Sequence, residues 1–472
     1  MFPDVPRALL SKNPLRHLKF YGPGAIVASV TIGGGETVFA SRGGAIFGYA
    51  LLWCFVLGGV LKGFQVYSTM RVMTLTGLHP VDYWVRMKGP RAWFPWLMIV
   101  VSLITIPSMF SALPKFLATL IVSLFEVKTE RYEDTLNILA SAILIGCAVL
   151  ALRSSYRALE WTMTAISFLF AAFIVAAFLA VRPDTLAILK GVFLISVPDY
   201  PDWIRETYPA IAARPPWLEI LTAAGIIGGN VVDYTAYLSF LRDKRWGLAS
   251  PTSSGTPTEN PPSPAAEDVA KGMNWLRAPR LDALVSFGFV TLFTVVFLVL
   301  GAELLAPERA VPEGPALLTV QARFMTELHP SFFPLYVIGI IMVFFGTIYG
   351  AMELHTRALF ECGRVTYPKL ADSLSRPLRS FRLFVVIYAV SSGLLLIWSG
   401  WDPVAILTPS VLLGGLLAAG MWCFTMLWVD HRFLPAAFRM GSALKLALWA
   451  SAILLFGAGV TSCYYYVLSF LQ

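Results

Sequence analysis

The sequence predicts an all-α polytopic membrane protein with two five-span repeats of opposite orientation and an eleventh span. Its 472 residues are 57% hydrophobic and only 14% charged, and the mean hydropathy is +0.70, whereas soluble proteins carry about 25% charged residues. Apolar stretches long enough to cross a bilayer recur along the whole chain, and two of them are interrupted by polar, glycine-rich residues. These observations together predict a helical protein that crosses the membrane many times.

A membrane-spanning helix needs about 20 mainly apolar residues, and eleven stretches meet that requirement. We predict spans at residues 22–41, 44–70, 93–113, 134–152, 157–181, 218–240, 281–304, 333–360, 381–400, 403–428 and 443–468. Spans one and six both open with an interrupted helix, so spans one to five and six to ten form the two repeats. An odd number of spans per repeat forces the second repeat to be inverted.

The predicted spans divide the chain into five consecutive segments. They are the cytoplasmic N-terminal segment, the first repeat, an external loop, the second repeat and the eleventh span, at residues 1–21, 22–182, 183–217, 218–428 and 429–472. Serine and proline dominate the connection between spans six and seven. Because that composition cannot build a hydrophobic core, we predict a disordered cytoplasmic linker at about 246–272.

Lysine and arginine gather in alternate loops, as the positive-inside rule requires. The residues on the basic side are Arg7, Lys12, Arg16, Lys19, Arg86, Lys88, Arg91, Arg364, Lys369, Arg376, Arg379, Arg432 and Arg439. We therefore predict a cytoplasmic N-terminus and an external C-terminus in a cytoplasmic (inner or plasma) membrane, and we expect a monomer. This distribution accounts for the net charge of +8 without nucleic-acid binding.

The two interruptions each place one carboxylate midway through a span. Glu36 follows the glycine run in span one, and Asp233 follows the glycine pair in span six. In hydrocarbon, an ionised side chain and freed backbone groups persist only where protein or a wet cavity satisfies them. A matched pair of interrupted helices in the two repeats points to the substrate site of a secondary transporter.

The residues at the interruptions favour a cation as the ligand. Three adjacent glycines favour unwound backbone, whose carbonyl oxygens, together with Glu36 and Asp233, would form an oxygen-only site. Oxygen ligands suit hard ions such as magnesium, calcium or manganese. Without a cation the two carboxylates would repel each other, and one would take up a proton, so a proton is a candidate coupling ion. We expect no bound cofactor.

The predicted substrate-binding residues lie at the two interruptions and in span ten. They are Gly33, Gly34, Gly35, Glu36, Thr37, Asn230, Val232, Asp233, Tyr234 and Ser410, with Glu36 and Asp233 as the metal ligands. A structural alternative stays open for each: the acids and polar side chains could make ordinary interhelical hydrogen bonds, and the glycines could permit close packing.

Other charged residues inside spans have simpler interpretations. Glu353 and Arg357 lie four residues apart in span eight, so they are predicted to pair on one helix face, with a role in a gate as the alternative. Lys62 is expected to snorkel toward the cytoplasmic interface, and Lys115 to reach the outer interface.

Several motifs resemble the NRAMP family of divalent-metal transporters. These are Gly22-Pro23-Gly24, Phe47-Gly48-Tyr49-Ala50-Leu51-Leu52-Trp53, Gln65, Arg71, Thr76-Gly77, Tyr156-Arg157-Ala158-Leu159-Glu160, Arg182-Pro183-Asp184, Ile226-Ile227-Gly228, Tyr237-Leu238 and Thr347-Ile348-Tyr349-Gly350. The resemblance covers most of the chain and implies the inverted-repeat fold of the LeuT type.

The chain departs from the NRAMP pattern at the ligands. The family's first break reads Asp-Pro-Gly-Asn, where residues 33–36 read Gly-Gly-Gly-Glu, and its sixth reads Met-Pro-His, where residues 232–234 read Val-Asp-Tyr. The family's glutamine in span ten aligns with Ser410. The acids that the family carries in span three for proton movement have no counterpart at 93–125. The resemblance therefore implies the scaffold, whereas the ligands are this chain's own.

Three functions are compatible with the sequence. The leading hypothesis is a secondary transporter of a divalent cation by alternating access. The second is a transporter of a small organic solute, such as an amino acid or amine, whose carboxylate would bind free backbone amides. The third is a non-transporting sensor or receptor. We found no nucleophile–base pair or hydrolase motif, so we predict that the protein is not an enzyme.

Overall fold

The computed structural model describes residues 2–33, 35–125, 131–153, 156–250, 255–312, 318–369 and 376–468, without the side chains of residues 14, 156–160 and 163. Every regular element in these ranges is helical. Nine of the described helices are long and apolar enough to cross a membrane. When the two interrupted helices are counted as spans of their own, the described helices account for all eleven predicted spans.

Eight spans are continuous helices. Spans two, three, four, five, seven, eight, nine and eleven are Leu52–Thr76, Trp93–Leu124, Tyr132–Arg153, Tyr156–Val181, Arg277–Leu300, Phe333–Thr366, Pro377–Ile397 and Ser442–Leu468. Span ten has three sections, Pro403–Ser410, a wide π-helical section Val411–Leu417, and Ala418–Phe433.

Spans one and six are broken into half-helices. Span 1a is Pro23–Thr31, and span 1b consists of a π-helical turn, Gly35–Phe39, followed by helix Ala40–Phe47. Span 6a is Pro216–Ile226 and span 6b is Val231–Lys244. Both breaks therefore lie where the glycine-rich interruptions predicted unwound backbone.

The predicted start of span two at residue 44 is wrong. Span 1b continues to Phe47, and the chain turns at Gly48, whose φ of +58° lies in the left-handed region that favours glycine. Span two then begins at Leu52. Apolar residues run through this corner without a polar interruption, so hydropathy alone could not locate it.

Span three is longer than predicted. The helix continues through Pro107 and Pro114 to Leu124, because packing against neighbouring helices compensates for the hydrogen bonds that proline removes. Lys115 consequently lies inside the span and is only 3% exposed. Its side chain lines a cavity with Glu133, Arg214 and Asp402 of the predicted external side, so it reaches toward the outer side, as expected, but is buried there.

The N-terminal segment packs on the connection between spans six and seven. The Phe2 amide donates to Asp268 at 2.9 Å, and the Phe2 ring lies 5.7 Å from that of Phe438 in the connection between spans ten and eleven. Asp268 belongs to helix Ala266–Trp275, so the linker boundary drawn at 272 falls inside a helix that these contacts stabilise. Residues 251–254 of the predicted linker lie outside the described residues.

Buried apolar side chains form two clusters. The first includes Phe116 and Ile227, and the second includes Trp84 and Val231. The break between spans 6a and 6b therefore lies where the two clusters meet, with packed side chains above and below it.

Span 1a is held at its start by an aspartate from span seven. The fully buried Asp282 accepts hydrogen bonds from the amides of Gly22 and Gly24, both at 2.9 Å, and from the Tyr237 hydroxyl at 2.5 Å. A Cβ on Gly24 would lie 1.8 Å from the Ser286 hydroxyl oxygen, so glycine is required there. Asp282 thus satisfies amides that a helix start leaves unpaired.

Replacement of Asp282 with alanine should lower stability by about 2–4 kcal/mol, because two amides and the Tyr237 hydroxyl would lose their partner in a buried place. The control is Asp402→Ala. Asp402 is an exposed cap that accepts from the Ala405 amide at 2.9 Å, and its loss should cost about 0.5–1 kcal/mol. Thermal unfolding of the purified variants measures both; equal losses would contradict this account of Asp282.

Candidate functional site

Hydrogen bonds to the backbone of Gly33 stabilise the first break. The Gly33 amide donates to the Thr31 carbonyl at 2.7 Å, and Thr37 donates to the Gly33 carbonyl from its amide at 3.1 Å and from its hydroxyl at 2.6 Å. A Cβ on Gly33 would lie 2.5 Å from the Thr347 hydroxyl oxygen in span eight. Glycine is therefore needed for the close approach of spans one and eight. Gly34 lies outside the described residues.

The second break depends on two glycines and a helix cap. Gly228 and Gly229 have φ values of +70° and +84°, which other residues rarely adopt. Asn230 Oδ1 accepts from the Val232 amide, and Asp233 Oδ2 accepts from the Asn230 amide, both at 2.8 Å. This reciprocal capping begins span 6b. Each of these two predicted substrate-binding residues therefore commits one oxygen to the helix start.

Glu36 and Asp233 line one cavity of about 90 Å³ between spans one, three, six, eight and ten. Glu36 is 1% exposed and Asp233 is 6% exposed. Glu36 Oε1 accepts from the Gly228 amide at 3.1 Å, so an acid of the first break satisfies a backbone group of the second. The two carboxylates thus line one space that both helix breaks border.

The predicted substrate-binding residues divide into two groups. Those that line the cavity are Gly35, Glu36, Asn230, Asp233 and Ser410. The other described ones do not belong to its wall: Gly33, Thr37, Val232 and Tyr234. Tyr234 illustrates the second group, because its hydroxyl donates to the Gly229 carbonyl at 3.3 Å and its ring packs 6.5 Å from that of Trp422. These side chains support the breaks from behind the wall.

Lys62 donates hydrogen bonds to the backbone carbonyl groups of the second break. It is fully buried in span two, and Nζ donates to the carbonyls of Gly225, Ile227 and Gly229 at 2.6, 2.8 and 2.9 Å. The expectation that Lys62 snorkels to the cytoplasmic interface is wrong, because these unpaired carbonyls lie within its reach. The carbonyls of this break therefore already have a cationic partner, whereas the carbonyl ligands predicted from the sequence were those of the first break.

Sequence reasoning also missed cavity residues from spans three and eight. Thr105, Met109 and Thr347 line the wall. Thr105 and Met109 lie four residues apart and hence on one face of span three, which is a usable signal, although ordinary packing residues show the same spacing. Met109 brings a thioether sulfur to a site for which the sequence predicted only oxygen donors.

Aromatic side chains pack between the cavity and the face of the molecule on which the N-terminus lies. The rings of Tyr234, Trp422, Trp84 and Phe94 follow one another, with centroid distances of 6.5 Å, 4.7 Å and 4.8 Å between neighbours. All four are buried. This aromatic layer separates the cavity from the loops on the side of the N-terminus.

Beyond the aromatic layer, ion pairs connect span 6b with spans eight and nine. Arg357 donates to Glu353 and to Asp243, both at 2.9 Å. Arg382 of span nine donates to the other oxygen of Glu353 at 2.8 Å. Glu353 and Arg357, four residues apart in span eight, therefore form an ion pair and belong to a larger group.

A second ionic group is centred on Glu361, which the sequence analysis did not identify. Glu361 is 1% exposed and accepts from Arg242 at 2.8 and 3.1 Å and from Arg364 at 2.7 Å. Arg364 also donates to Asp82, which lies between spans two and three, at 2.7 and 3.2 Å. The group ties span 6b to span eight and to that connection.

The family follows from comparison with known sequences. Residues 24–465 match the family described as Natural resistance-associated macrophage protein-like, or Nramp. The chain belongs to the Nramp family. The resemblance predicted from the motifs is thereby confirmed, and so is the prediction of a membrane transporter rather than an enzyme. Comparison with curated proteins gave no match.

Solved structures share the fold. A variant of the Eremococcus coleocola manganese transporter aligns with a TM-score of 0.66 at 16% identity, over 100% of this chain and 90% of that one. The same transporter with an aromatic bis-isothiourea compound gives a TM-score of 0.64 at 15% identity, over 97% and 88%. MhsT in complex with L-phenylalanine aligns with a TM-score of 0.56 at 12% identity, over 93% and 97%. The predicted LeuT-type fold of this Nramp chain is confirmed.

Replacement of Gly229 with alanine should destabilise the protein by about 1–3 kcal/mol, because the backbone has φ +84° and the new Cβ would lie 2.6 Å from Asp233 Oδ2. The matched control is Gly288→Ala in span seven, where a Cβ meets nothing within 4 Å. Alanine should be neutral or slightly stabilising there. Thermal unfolding compares the two variants, and equal melting temperatures would show that the second break tolerates ordinary backbone.

Proposed function

We propose that this Nramp protein is a secondary transporter that moves a hard divalent cation by alternating access through the cavity at the helix breaks. One observation carries the proposal: Glu36 and Asp233, one from each break, line the same buried cavity. The manganese transporter that shares the fold supports a metal cargo.

The charges around the cavity favour a cation over an anion. Two buried carboxylates in one small space repel each other and need positive charge nearby. Lys62 is close enough to interact electrostatically with both and supplies one such charge. When all three groups are ionised they carry a net charge of −1, which a cationic cargo would compensate.

The donors around the cavity favour a small, hard and partly hydrated ion. Glu36 accepts from the backbone amide of Gly228 and Asp233 from that of Asn230, so backbone groups already use part of each carboxylate's capacity to bind a cargo. Among the described residues, no three His, Cys, Asp or Glu side chains converge on one point. Water must then complete the coordination, as it often does for magnesium, and the space in the cavity suits such an ion.

Neutralising either acid should abolish cation uptake. Glu36→Gln and Asp233→Asn keep the side-chain shape but remove the charge, and manganese should bind at least about 100-fold more weakly. Isothermal calorimetry on the purified protein and manganese uptake into proteoliposomes measure the effect. The control is Glu206→Gln, which should bind and take up manganese like the parent. Glu206 is an exposed carboxylate in the predicted external loop.

Two outcomes would contradict this cation site. Unchanged manganese binding in both acid variants would remove the carboxylates from the site. A loss in Met109→Leu as large as in the acid variants would indicate a thioether ligand and a softer ion.

A small organic amine is the second candidate cargo. The net charge of −1 at the cavity matches one ammonium group, and MhsT, which shares the fold, is described in complex with L-phenylalanine. Under this alternative Glu36 or Asp233 would hold the amine. Thermal protection by an amino acid or amine, without any effect of manganese, magnesium or calcium, would favour it.

We also propose that the N-terminus is cytoplasmic and that the ion pairs of Glu353 and Glu361 close the cytoplasmic side of the site. The basic loops lie on the same side as these pairs and support that orientation. Opening a path past span 6b requires Arg242 to leave Glu361 and Arg357 to leave Asp243. Both separations expose charges that water can then solvate.

Thiol labelling tests the gate and the orientation together. In a Thr105→Cys parent, a membrane-impermeant reagent on the cytoplasmic side should label the cavity slowly. Adding Arg242→Ala and Arg357→Ala should raise that rate about 10-fold or more, because breaking the pairs removes stabilisation from the closed state.

The matched control for the gate is Arg205→Ala. It removes an exposed pair with Asp199, 2.6 Å long, on the opposite side, and the labelling rate should stay the same. A rate that is unchanged in the gate variant, or that rises only from the external side, would overturn the gate or the orientation respectively.

A further inference from the structure

The Lys62 ammonium group lies where three backbone carbonyls converge. Its Nζ is 2.6–2.9 Å from the oxygens of Gly225, Ile227 and Gly229. These carbonyls belong to the end of span 6a and to the unwound residues after it, so none has a helical partner further along the chain. All three described hydrogen bonds of this ammonium group go to this single group of oxygens.

This arrangement has the chemistry of a monovalent cation site. Carbonyl oxygens at the end of a half-helix carry partial negative charge, and in broken transporter helices such carbonyls coordinate sodium ions or protons. Glu36 and Asp233 add negative charge within electrostatic range. Lys62 itself belongs to span two, and its aliphatic chain delivers a charge to a position inside span six.

We propose that Lys62 is a tethered cation that occupies a site for a free alkali-metal ion, so that its removal turns the Gly225, Ile227 and Gly229 carbonyls into a sodium site. The tethered charge stabilises the second break. It also keeps these carbonyls from the cargo, which leaves the acids and the cavity as the exchangeable site. The inference goes beyond the proposed transport function and holds whichever cargo the cavity binds.

Lys115 provides the contrast that the argument needs. It is also a buried lysine within a span, 3% exposed, but it faces a second cavity lined by Glu133, Arg214 and Asp402. No backbone carbonyl is among its described hydrogen-bond partners. A buried lysine by itself therefore does not predict a carbonyl cation site; the converging carbonyls at Lys62 do.

The test is the sodium dependence of stability in Lys62→Ala. Purified parent, Lys62→Ala and Lys115→Ala proteins are unfolded thermally in sodium chloride or choline chloride at equal ionic strength. Saturating sodium should raise the melting temperature of Lys62→Ala by about 5 °C. The parent and Lys115→Ala should respond equally to the two salts, because neither has vacant carbonyls. Binding of radioactive sodium, near one ion per chain, should appear only in Lys62→Ala.

The result that overturns the proposal is a folded Lys62→Ala protein with no sodium-specific stabilisation and no bound sodium. If Lys62→Ala is recovered only when it is purified in sodium, the proposal is supported. If it folds in neither salt, Lys62→Met, which keeps the apolar stem, replaces it. Sodium-specific thermal stabilisation and sodium binding of that variant then decide between the two results. Because the readout is stability and sodium binding, its failure is distinguishable from failure of manganese uptake in the acid variants.

Discussion

Backbone groups freed at two helix breaks in the membrane interior must find partners within the protein, because hydrocarbon offers none. Side chains from other elements supply several of them. Glu36 of span one accepts from the Gly228 amide, and Lys62 of span two donates to three carbonyls around it. Away from the breaks, Asp282 of span seven does the same for the amides at the start of span 1a. The breaks are stable in the membrane interior because charged side chains form hydrogen bonds with their freed backbone groups. The buried charges are stable in turn because these backbone groups replace water as their partners.

This mutual dependence links the structure to the proposed transport. The groups that stabilise the second break also set the charge of the cavity, so structural and cargo-binding roles cannot be assigned to separate residues. Glu36 and Asp233 each accept a hydrogen bond from the backbone and also line the cavity. Span 6b is tied on one side to this cavity and on the other to the Glu361 and Glu353 groups. A change in cavity charge and a change in span 6b position are therefore expected to accompany each other.

The parts of the site that sequence could predict are those with a local signal. Glycines followed by one carboxylate inside an apolar stretch identify a helix break without knowledge of any neighbour, and both breaks lie where predicted. The family was recognisable from motifs although the solved structures that share the fold are only 12–16% identical. The Gly48 corner was missed because apolar residues continue through it, and the wall residue Met109 because its spacing does not differ from that of packing residues.

The charged residues show where sequence stops. Lys62 and Lys115 have the same signal, a lysine within an apolar helix, and snorkelling is the usual outcome for both. Lys62 instead binds the carbonyls of a helix far away in the chain, whereas Lys115 lines a cavity on the predicted outer side. Likewise the Glu353–Arg357 pair follows from helical spacing, whereas the bonds from Arg242 to Glu361 require two helices to be adjacent.

The sequence by itself determined the all-helical membrane class, the family, the positions of both breaks and the two acids at their centre. Each of these is encoded by residue types within a short window, through hydropathy, glycine content and charge. Only the tertiary structure decided that both acids share one cavity, that Lys62 fills the carbonyls of the second break, and that aromatic and ionic layers cover one side. These depend on which side chains meet across helices, and burial makes such meetings strong because water no longer competes for the partners.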